Sequence, residues 1–102
     1  MTPEKRVQSA IMTFLREYPE EKAFIDVYRR QAGGYSYTMG IPDLYAIVNG
    51  WHVEIEVKRP GGQLRPMQMK FRDKCLKHHT HYLCAESVED VKMFLFLHFG
   101  IK

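Results

Sequence analysis

Residues 42–58 read PDLYAIVNGWHVEIEVK, and this segment has the pattern of a β-hairpin. Residues 44–48 are an apolar run of strand length, directly followed by Asn49-Gly50. Asn-Gly is the strongest short signal for a type I′ hairpin turn, because both central residues of that turn need a positive φ. We therefore expect residues 51–58 to return as a second strand, antiparallel to the first.

The return strand alternates strictly between apolar and polar side chains. One face carries Trp51, Val53, Ile55 and Val57, and the other carries His52, Glu54, Glu56 and Lys58. Successive side chains of a strand point to opposite faces of the sheet, so the apolar set must pack on a helix. For the polar set two interpretations stay open: a water-facing surface, as in many antiparallel sheets, or a functional site.

The two-residue turn also fixes which residues of the hairpin lie opposite each other. Pairing across Asn49-Gly50 places Asp43 opposite Glu56, with Lys58 next on the same face. Two like charges opposite each other destabilise a hairpin unless something offsets them. Mg²⁺ does so, because it binds one or two carboxylates together with water and phosphate oxygens. Two carboxylates and a lysine around a metal are typical of a site that cleaves phosphodiester bonds.

The rest of the chain predicts helices and strands on both sides of this hairpin. Thr2-Pro3 begins a helix that Pro19 ends, since proline is favoured in the first helical turn and disrupts later ones. The glycine-rich segment 31–42 is predicted to be a flexible loop. The other predicted elements are a strand at 23–29, a helix at 66–78, a strand at 82–85 and a final helix capped by Ser87. The predicted order is αβββαβα, in one domain that spans residues 1–102.

Helical spacing predicts which side chains of the two later helices face the core. In the helix at 66–78 the inward positions are Met67, Phe71 and Leu76. In the final helix the predicted buried stripe is Val91, Phe94, Leu95 and His98. Both sets follow the spacing of three to four residues that places side chains on one helix face.

Composition sets wide limits on function. The chain has 102 residues, of which 45% are hydrophobic and 26% charged, as in an ordinary soluble protein. A core of this size is modest, so pairing with a second copy would help stability. No run approaches the ~20 apolar residues of a membrane span, and the charged N-terminus lacks a signal peptide's apolar stretch, so we expect a cytoplasmic location. The net charge of +3 is compatible with an anionic partner without establishing one.

Pro42-Asp43, followed after twelve residues by Glu56-Val57-Lys58, resembles the signature of the PD-(D/E)XK nucleases. The closer resemblance is to their VRR-NUC family, the virus-type replication-repair nuclease domains. That family has a glutamate in its first helix, G-x-P-D-L, an E-V-K strand and a glutamine in the next helix. Here these stretches are Glu4, residues 40–44, residues 56–58 and Gln68, so the resemblance covers about residues 4 to 95. Their order and spacing together make the match specific.

The resemblance implies an α/β fold, a restriction-endonuclease-like core with a mixed central sheet flanked by helices. It also implies a Mg²⁺- or Mn²⁺-dependent DNA endonuclease. Asp43 and Glu56 become metal ligands, and the Val57 backbone carbonyl is a further candidate ligand. Lys58 becomes the catalytic lysine, which orients or deprotonates the attacking water or stabilises charge on the phosphate.

Two further residues and the assembly follow from the same resemblance. Glu4 would contact the metal or its waters, although an ordinary acid at a helix start is an equal alternative. Gln68 would line the site, although a solvated helix residue is the alternative. Stand-alone phage and bacterial members resemble Holliday-junction resolvases. This resemblance implies a branched DNA substrate, a homodimer and a phage-encoded protein in a bacterial host.

Positive and aromatic side chains near the motifs are candidate DNA contacts. Lysines can bind phosphates and tyrosines can stack on bases. The candidates are Arg59, Arg65, Lys70, Lys74, Tyr35 and Tyr37. A solvated helix face and an ordinary loop are the alternatives for these residues.

Two other functions remain compatible with the sequence. One is a non-catalytic nucleic-acid-binding or interaction module on the same fold, and the other is a nuclease that needs a second protein before it cuts. Degenerate nuclease-like domains lose the lysine or a carboxylate. This chain keeps Asp43, Glu56 and Lys58, which favours activity.

Overall fold

The computed structural model describes residues 1–31 and 34–102, and these residues form a four-stranded sheet with helices on both faces. The elements are α1 Pro3–Arg16, β1 Ile25–Arg29, α2 Gly34–Thr38, β2 Leu44–Val48, β3 Trp51–Val57, α3 Pro66–Lys77, β4 His81–Ala85 and α4 Val88–Phe99. Apart from α2, their order is the predicted αβββαβα. Among the helices of the described residues, none has both the length and the apolar character that crossing a membrane requires.

The sheet is mixed, as predicted. Its strand order is β1-β2-β3-β4. The first three strands form an antiparallel meander, and β4 pairs with β3 in parallel. The parallel pairing requires the chain to cross over the sheet, and α3 is the crossover helix.

The central hairpin has the predicted turn and the predicted register. Asn49 and Gly50 have φ values of 50° and 90°, which are the positive values of a type I′ turn. Val48 pairs with Trp51 and Leu44 with Ile55. One more step of the same register places the residue before β2, Asp43, opposite Glu56.

The apolar face of the sheet forms the core with α1 and α4. The buried residues of this core include Ile11, Leu15, Leu44, Ala46, Val48, Val53, Ile55, Val57, Val91 and Leu95. They come from strands at alternate positions and from helices at three- and four-residue spacing, so each element contributes one face. Burial of these side chains supplies most of the driving force for folding.

Apart from the exposed His52, the polar face of β3 is buried too, so the water-facing interpretation of that face is wrong. Glu54, Glu56 and Lys58 are exposed to only 4%, 7% and 9%. The crossover helix α3 lies over this side of the sheet, where Phe71 packs on Tyr82 of β4 with ring centroids 6.4 Å apart. Charged side chains therefore lie between a sheet and a helix, where water cannot solvate them fully.

Two predicted inward side chains point to solvent instead. Leu76 of α3 is 56% exposed, because the line of α3 that faces the sheet is Gln68 and Cys75, seven residues apart. In α4, Val91, Phe94 and Leu95 are buried as predicted, whereas His98 in the last turn is exposed and stacks on Phe94.

The segment 31–42 is not a loop throughout, contrary to the prediction. Gly34–Thr38 form the short helix α2, and Gly40, with φ 72°, follows it in the left-handed conformation. Glycine favours this conformation just after a helix, so here it terminates a helix and does not indicate flexibility. The loop prediction also included Ala32 and Gly33, which lie outside the described residues.

Gly40 lies directly on the first turn of α3. A Cβ atom at this position would be 2.3 Å from the backbone carbon and oxygen of Met67 and 2.6 Å from the Gln68 nitrogen. No side-chain rotation can relieve a clash with backbone atoms. The chain just before Pro42 and Asp43 is therefore fixed against α3 by the absence of a side chain at residue 40.

We expect Gly40→Ala to lower the free energy of unfolding by about 3 kcal/mol or more. The left-handed φ costs an alanine about 1–2 kcal/mol, and displacement of packed backbone adds to that. Gly61→Ala is the matched control, since Gly61 also has a positive φ, of 79°, but faces open space. Gly61→Ala should lower the free energy of unfolding only by the cost of the left-handed φ, about 1–2 kcal/mol. Equal losses for both variants in chemical denaturation would contradict the contact with α3.

Candidate active site

Asp43 and Glu56 come together at the end of the central hairpin. Glu56 is near the C-terminal end of β3, and Asp43 precedes β2 on the neighbouring strand. Asp43 is exposed, whereas Glu56 is buried. Their charges interact, because the negative charge of Asp43 contributes to raising the pKa of Glu56.

Glu56 is the most perturbed carboxyl group of this site. Its pKa is raised from 4.5 to about 7, with burial as the largest cause; the ammonium of Lys58 opposes this rise, and the charges of Asp43 and Glu4 add to it. Arg65 lowers it slightly. Its Oε1 atom is buried without a hydrogen-bond partner. Four predicted site residues from different parts of the chain therefore act electrostatically on the Glu56 carboxyl group.

The Glu56 carboxylate fits a divalent cation. A buried carboxylate oxygen without a partner is destabilising, and a cation that binds it removes that cost. Within residues 1–31 and 34–102, no three His, Cys, Asp or Glu side chains form a metal-binding group. An ion here would have Asp43 and Glu56 as its side-chain ligands and would complete its shell with backbone oxygen and water, a common arrangement for Mg²⁺.

Gln68 is a buried residue that holds the start of α3. It is 6% exposed, and its Oε1 accepts a hydrogen bond of 2.8 Å from the Arg65 backbone N–H. This bond satisfies one of the free N–H groups at the N-terminus of the helix. It also fixes the backbone of Arg65, whose guanidinium lies 3.9 Å from the centre of the Tyr37 ring.

Arg30 connects the candidate site to a second buried carboxylate, Glu54. Its guanidinium donates two hydrogen bonds of 2.7 Å to the two Glu54 oxygens, and Nη1 also donates to the Pro42 carbonyl at 2.7 Å. The Arg30 backbone N–H donates to the Asp43 carbonyl at 2.7 Å. Arg30 therefore holds both carbonyl groups of the Pro42-Asp43 pair, and a hydrogen bond from His52 further fixes Glu54.

Comparison with solved structures identifies the fold. A structure described as a VRR_NUC domain superposes with a TM-score of 0.67, covering 97% of this chain and 99% of the other at 22% sequence identity. The chain has the VRR_NUC domain fold. No protein-family model and no curated protein sequence matches the chain. The predicted α/β fold, with its mixed sheet and flanking helices, is confirmed.

Within this VRR_NUC fold the predicted DNA contacts fall into three places. Tyr35, Lys70 and Lys74 line one cavity between α2 and α3. Arg65 stacks on Tyr37, which is 65% exposed. Arg59 is exposed in the turn that follows Lys58, and its carbonyl accepts a hydrogen bond from Gly62.

Sequence analysis missed Arg30 and assigned no structural role to Glu54. Arg29 pairs with Leu44 in the sheet, so the next step of that register places Arg30 opposite Asp43. A signal therefore existed: an arginine directly after β1 and a glutamate on the same polar face as Glu56. It required the register of β1 against β2, which the sequence does not supply.

The raised pKa of Glu56 predicts that, in the absence of metal, Glu56→Gln stabilises the fold by an amount that depends on pH. Burial favours the protonated, neutral form of Glu56. The stability that this form contributes is complete below pH 4.5 and is lost as the pH rises through about 7. At pH 8.5 in chelator, Glu56→Gln should be roughly 3 kcal/mol more stable than the wild type, at about 1.4 kcal/mol per pKa unit. The gain should vanish near pH 4.

Glu21→Gln serves as the control for this pH series, because Glu21 is exposed and takes part in no ion pair formed within residues 1–31 and 34–102. Its stability should follow the wild type at every pH in urea unfolding. A Glu56→Gln variant that is less stable than the wild type at pH 8.5 would show that the carboxylate has an unrecognised partner.

Arg30→Ala should lower the free energy of unfolding by about 3 kcal/mol, the low end for breaking a buried ion pair, because Glu54 would stay buried with only His52 left of these two partners. Adding Glu54→Gln to Arg30→Ala should restore part of that loss, since it removes the uncompensated charge. Arg29→Ala, at the exposed neighbouring residue, should change stability by no more than about 0.5 kcal/mol. Additive effects of the two site substitutions in a double-mutant cycle would refute the coupling.

Proposed function

We propose that the chain is a Mg²⁺- or Mn²⁺-dependent DNA endonuclease that hydrolyses phosphodiester bonds in branched DNA. The observation that carries this proposal is the Glu56 carboxylate, buried beside Asp43 with one oxygen unpartnered. The VRR_NUC description of the similar structure gives independent support for a nuclease.

In this proposal four groups hold the metal ion. The carboxylates of Asp43 and Glu56 and the Val57 carbonyl bind it directly, and Glu4 binds it through a water molecule. A bound divalent ion lowers the pKa of its water and neutralises charge on the phosphate. Glu4 lies in the first turn of α1, and Asp43 lies directly before β2. The negative charges of both raise the pKa of Glu56, so both are near its carboxylate.

Lys58 supplies the positive charge for the reaction. It is only 9% exposed, and its backbone N–H is fixed by a hydrogen bond of 2.9 Å to the Ala85 carbonyl. A buried ammonium interacts more strongly with developing phosphate charge than a solvated one does. Gln68 supports it from α3 by holding Arg65, a second positive charge near Glu56.

A homodimer acting on a two-fold branched substrate completes the proposal. The outer face of α4 exposes large apolar side chains, Met93, Phe96 and Leu97, at 58%, 48% and 67%. Beside it, residues of α1, α4 and the C-terminus enclose an apolar cavity of about 520 Å³. A second copy with two-fold symmetry would cover both features and present two sites to a junction.

Cleavage should require Mg²⁺ or Mn²⁺ and should stop in excess chelator. Labelled duplex, flap, splayed-arm and four-way-junction DNA are incubated with the protein, and we expect the branched substrates to be cut fastest.

Glu56→Gln should reduce single-turnover cleavage by at least about a hundredfold, the scale of a lost electrostatic stabiliser, while DNA binding is retained. Ca²⁺ should support binding better than cutting, because its looser geometry positions water poorly.

Glu21→Gln is again the control and should cleave like the wild type. Full activity in chelator, or in Glu56→Gln, would refute the proposed site. Tight binding of all four DNAs with no cleavage under any metal condition would favour the non-catalytic binding module.

Light scattering at micromolar concentration should report the mass of two chains. Leu97→Asp should shift the protein to the mass of one chain, since it puts a charge in the middle of the proposed apolar interface. A single-chain mass for the wild type, also with DNA bound, would contradict the dimer and would favour a flap or a single-strand end as the substrate.

A further inference from the structure

A second cavity lies between α2 and α3, next to the candidate active site. Its volume is about 310 Å³, at the lower end of the range of about 300–1,000 Å³ in which proteins bind small ligands. Its lining residues are Tyr35, Met39, Ile41, Met67, Lys70, Phe71 and Lys74.

The α3 side of this cavity is a separate face of the helix. Met67, Lys70, Phe71 and Lys74 follow one another at spacings of three, one and three residues, so they share one helix face. This face lies beside the one that Gln68 and Cys75 turn toward the sheet, and Phe71 stands at the border, where its ring also packs on Tyr82. It combines an aromatic ring, an apolar thioether and two ammonium groups, which is neither a core face nor an ordinary charged surface.

The cavity is directly continuous with the candidate site along the chain. Ile41 lies two residues before Asp43, and Met67 precedes the buried Gln68. The Gly40 contact with the Met67 backbone joins the two walls of the cavity at this end. Two residues of chain span at most about 7 Å, so the cavity wall at Ile41 lies within that distance of the Asp43 backbone. A DNA strand held at Asp43 and Glu56 would therefore pass beside the cavity.

Among residues 1–31 and 34–102, the charges of the cavity have no acidic partners. Of the ion pairs formed within residues 1–31 and 34–102, none includes Lys70 or Lys74. Two unpaired ammonium groups beside apolar and aromatic walls match a ligand that is flat and weakly polar at one end and anionic at the other. A nucleobase with its phosphate has this chemistry, since bases stack on aromatic rings and phosphates bind lysines.

We propose that this cavity receives one unstacked nucleotide of the bound DNA, with its base against Phe71 and Met67 and its phosphate held by Lys70 and Lys74. The inference rests on the proposed function for the choice of DNA as the ligand. It also gives a physical reason for a branched substrate, because a base at a branch point is already partly unstacked and enters a pocket at a lower free-energy cost than a duplex base.

Single 2-aminopurine substitutions test the inference, because this base fluoresces more strongly when it is unstacked. The analogue is placed in turn at each position around the branch of a four-way junction and of a flap, and each DNA is titrated with the Glu56→Gln protein in Mg²⁺. Emission should change at one position only, on the side of the branch where the strand enters the cavity. The same positions in unbranched duplex should respond less.

Two cavity variants and one matched control accompany this series. Phe71→Leu keeps apolar bulk and loses the aromatic face, so the affinity for branched DNA should fall at least about fivefold, the low end of base stacking on an aromatic ring. Lys70→Gln with Lys74→Gln should weaken binding and flatten its salt dependence. Lys77→Gln lies on the same helix outside the cavity, and it should leave the position-specific emission unchanged.

The outcomes separate this inference from the proposed function. Cleavage by the wild type without any position-specific emission change would refute nucleotide binding in the cavity and would leave the proposed nuclease function standing. A position-specific change that Phe71→Leu removes, without cleavage by the wild type, would support the cavity and refute the nuclease. Saturation of the cavity by free 2-aminopurine deoxyribonucleoside monophosphate at the affinity of the junction would overturn the role of DNA. A change that persists in Phe71→Leu and in the double lysine variant would also overturn the inference.

Discussion

A carboxylate buried without a hydrogen-bond partner has to be compensated by its surroundings, and the site around Glu56 is built on this constraint. Glu54 and Glu56 lie two residues apart on the same buried face of β3, yet their surroundings differ. Arg30 binds both oxygens of Glu54, whereas Glu56 keeps an oxygen free and a pKa of about 7. One carboxylate is used within the fold, and the other remains available for a ligand.

This division gives α3 a double role. The helix covers the polar face of β3 and so creates the dry environment that raises the pKa of Glu56. Through Gln68 it also fixes Arg65, and its outer face forms a wall of the cavity between α2 and α3. Burial of the carboxylate and one wall of the cavity are therefore provided by two faces of the same helix.

The parts that sequence analysis predicted correctly are those that local chemistry determines. The two-residue Asn49-Gly50 turn leaves only one register for β2 and β3, so the opposition of Asp43 and Glu56 followed from counting. The long connection from β1 to β2 fixes no register, so the place of Arg30 was out of reach. Burial of the polar face depends on how α3 folds back over the sheet, and alternation along one strand carries no information about that packing. The burial of Leu76 was predicted wrongly because the face of α3 that packs on the sheet contains the polar Gln68. Apolar spacing alone therefore selected a different face of the helix as the buried one.

The contact between Gly40 and the Met67 backbone also limits where this chain tolerates changes in length. With one residue inserted between Gly40 and Asp43, the chain could not keep both this contact and the position of Asp43 opposite Glu56, which the Asn49-Gly50 turn sets. The turn at Pro60-Gly61 is exposed, and a side chain at Gly61 would meet open space, so added residues there would disturb neither carboxylate. Protein engineering that aims to add a DNA-targeting segment to this domain would therefore place it at residues 60–61, on the far side of Lys58 from the hairpin turn.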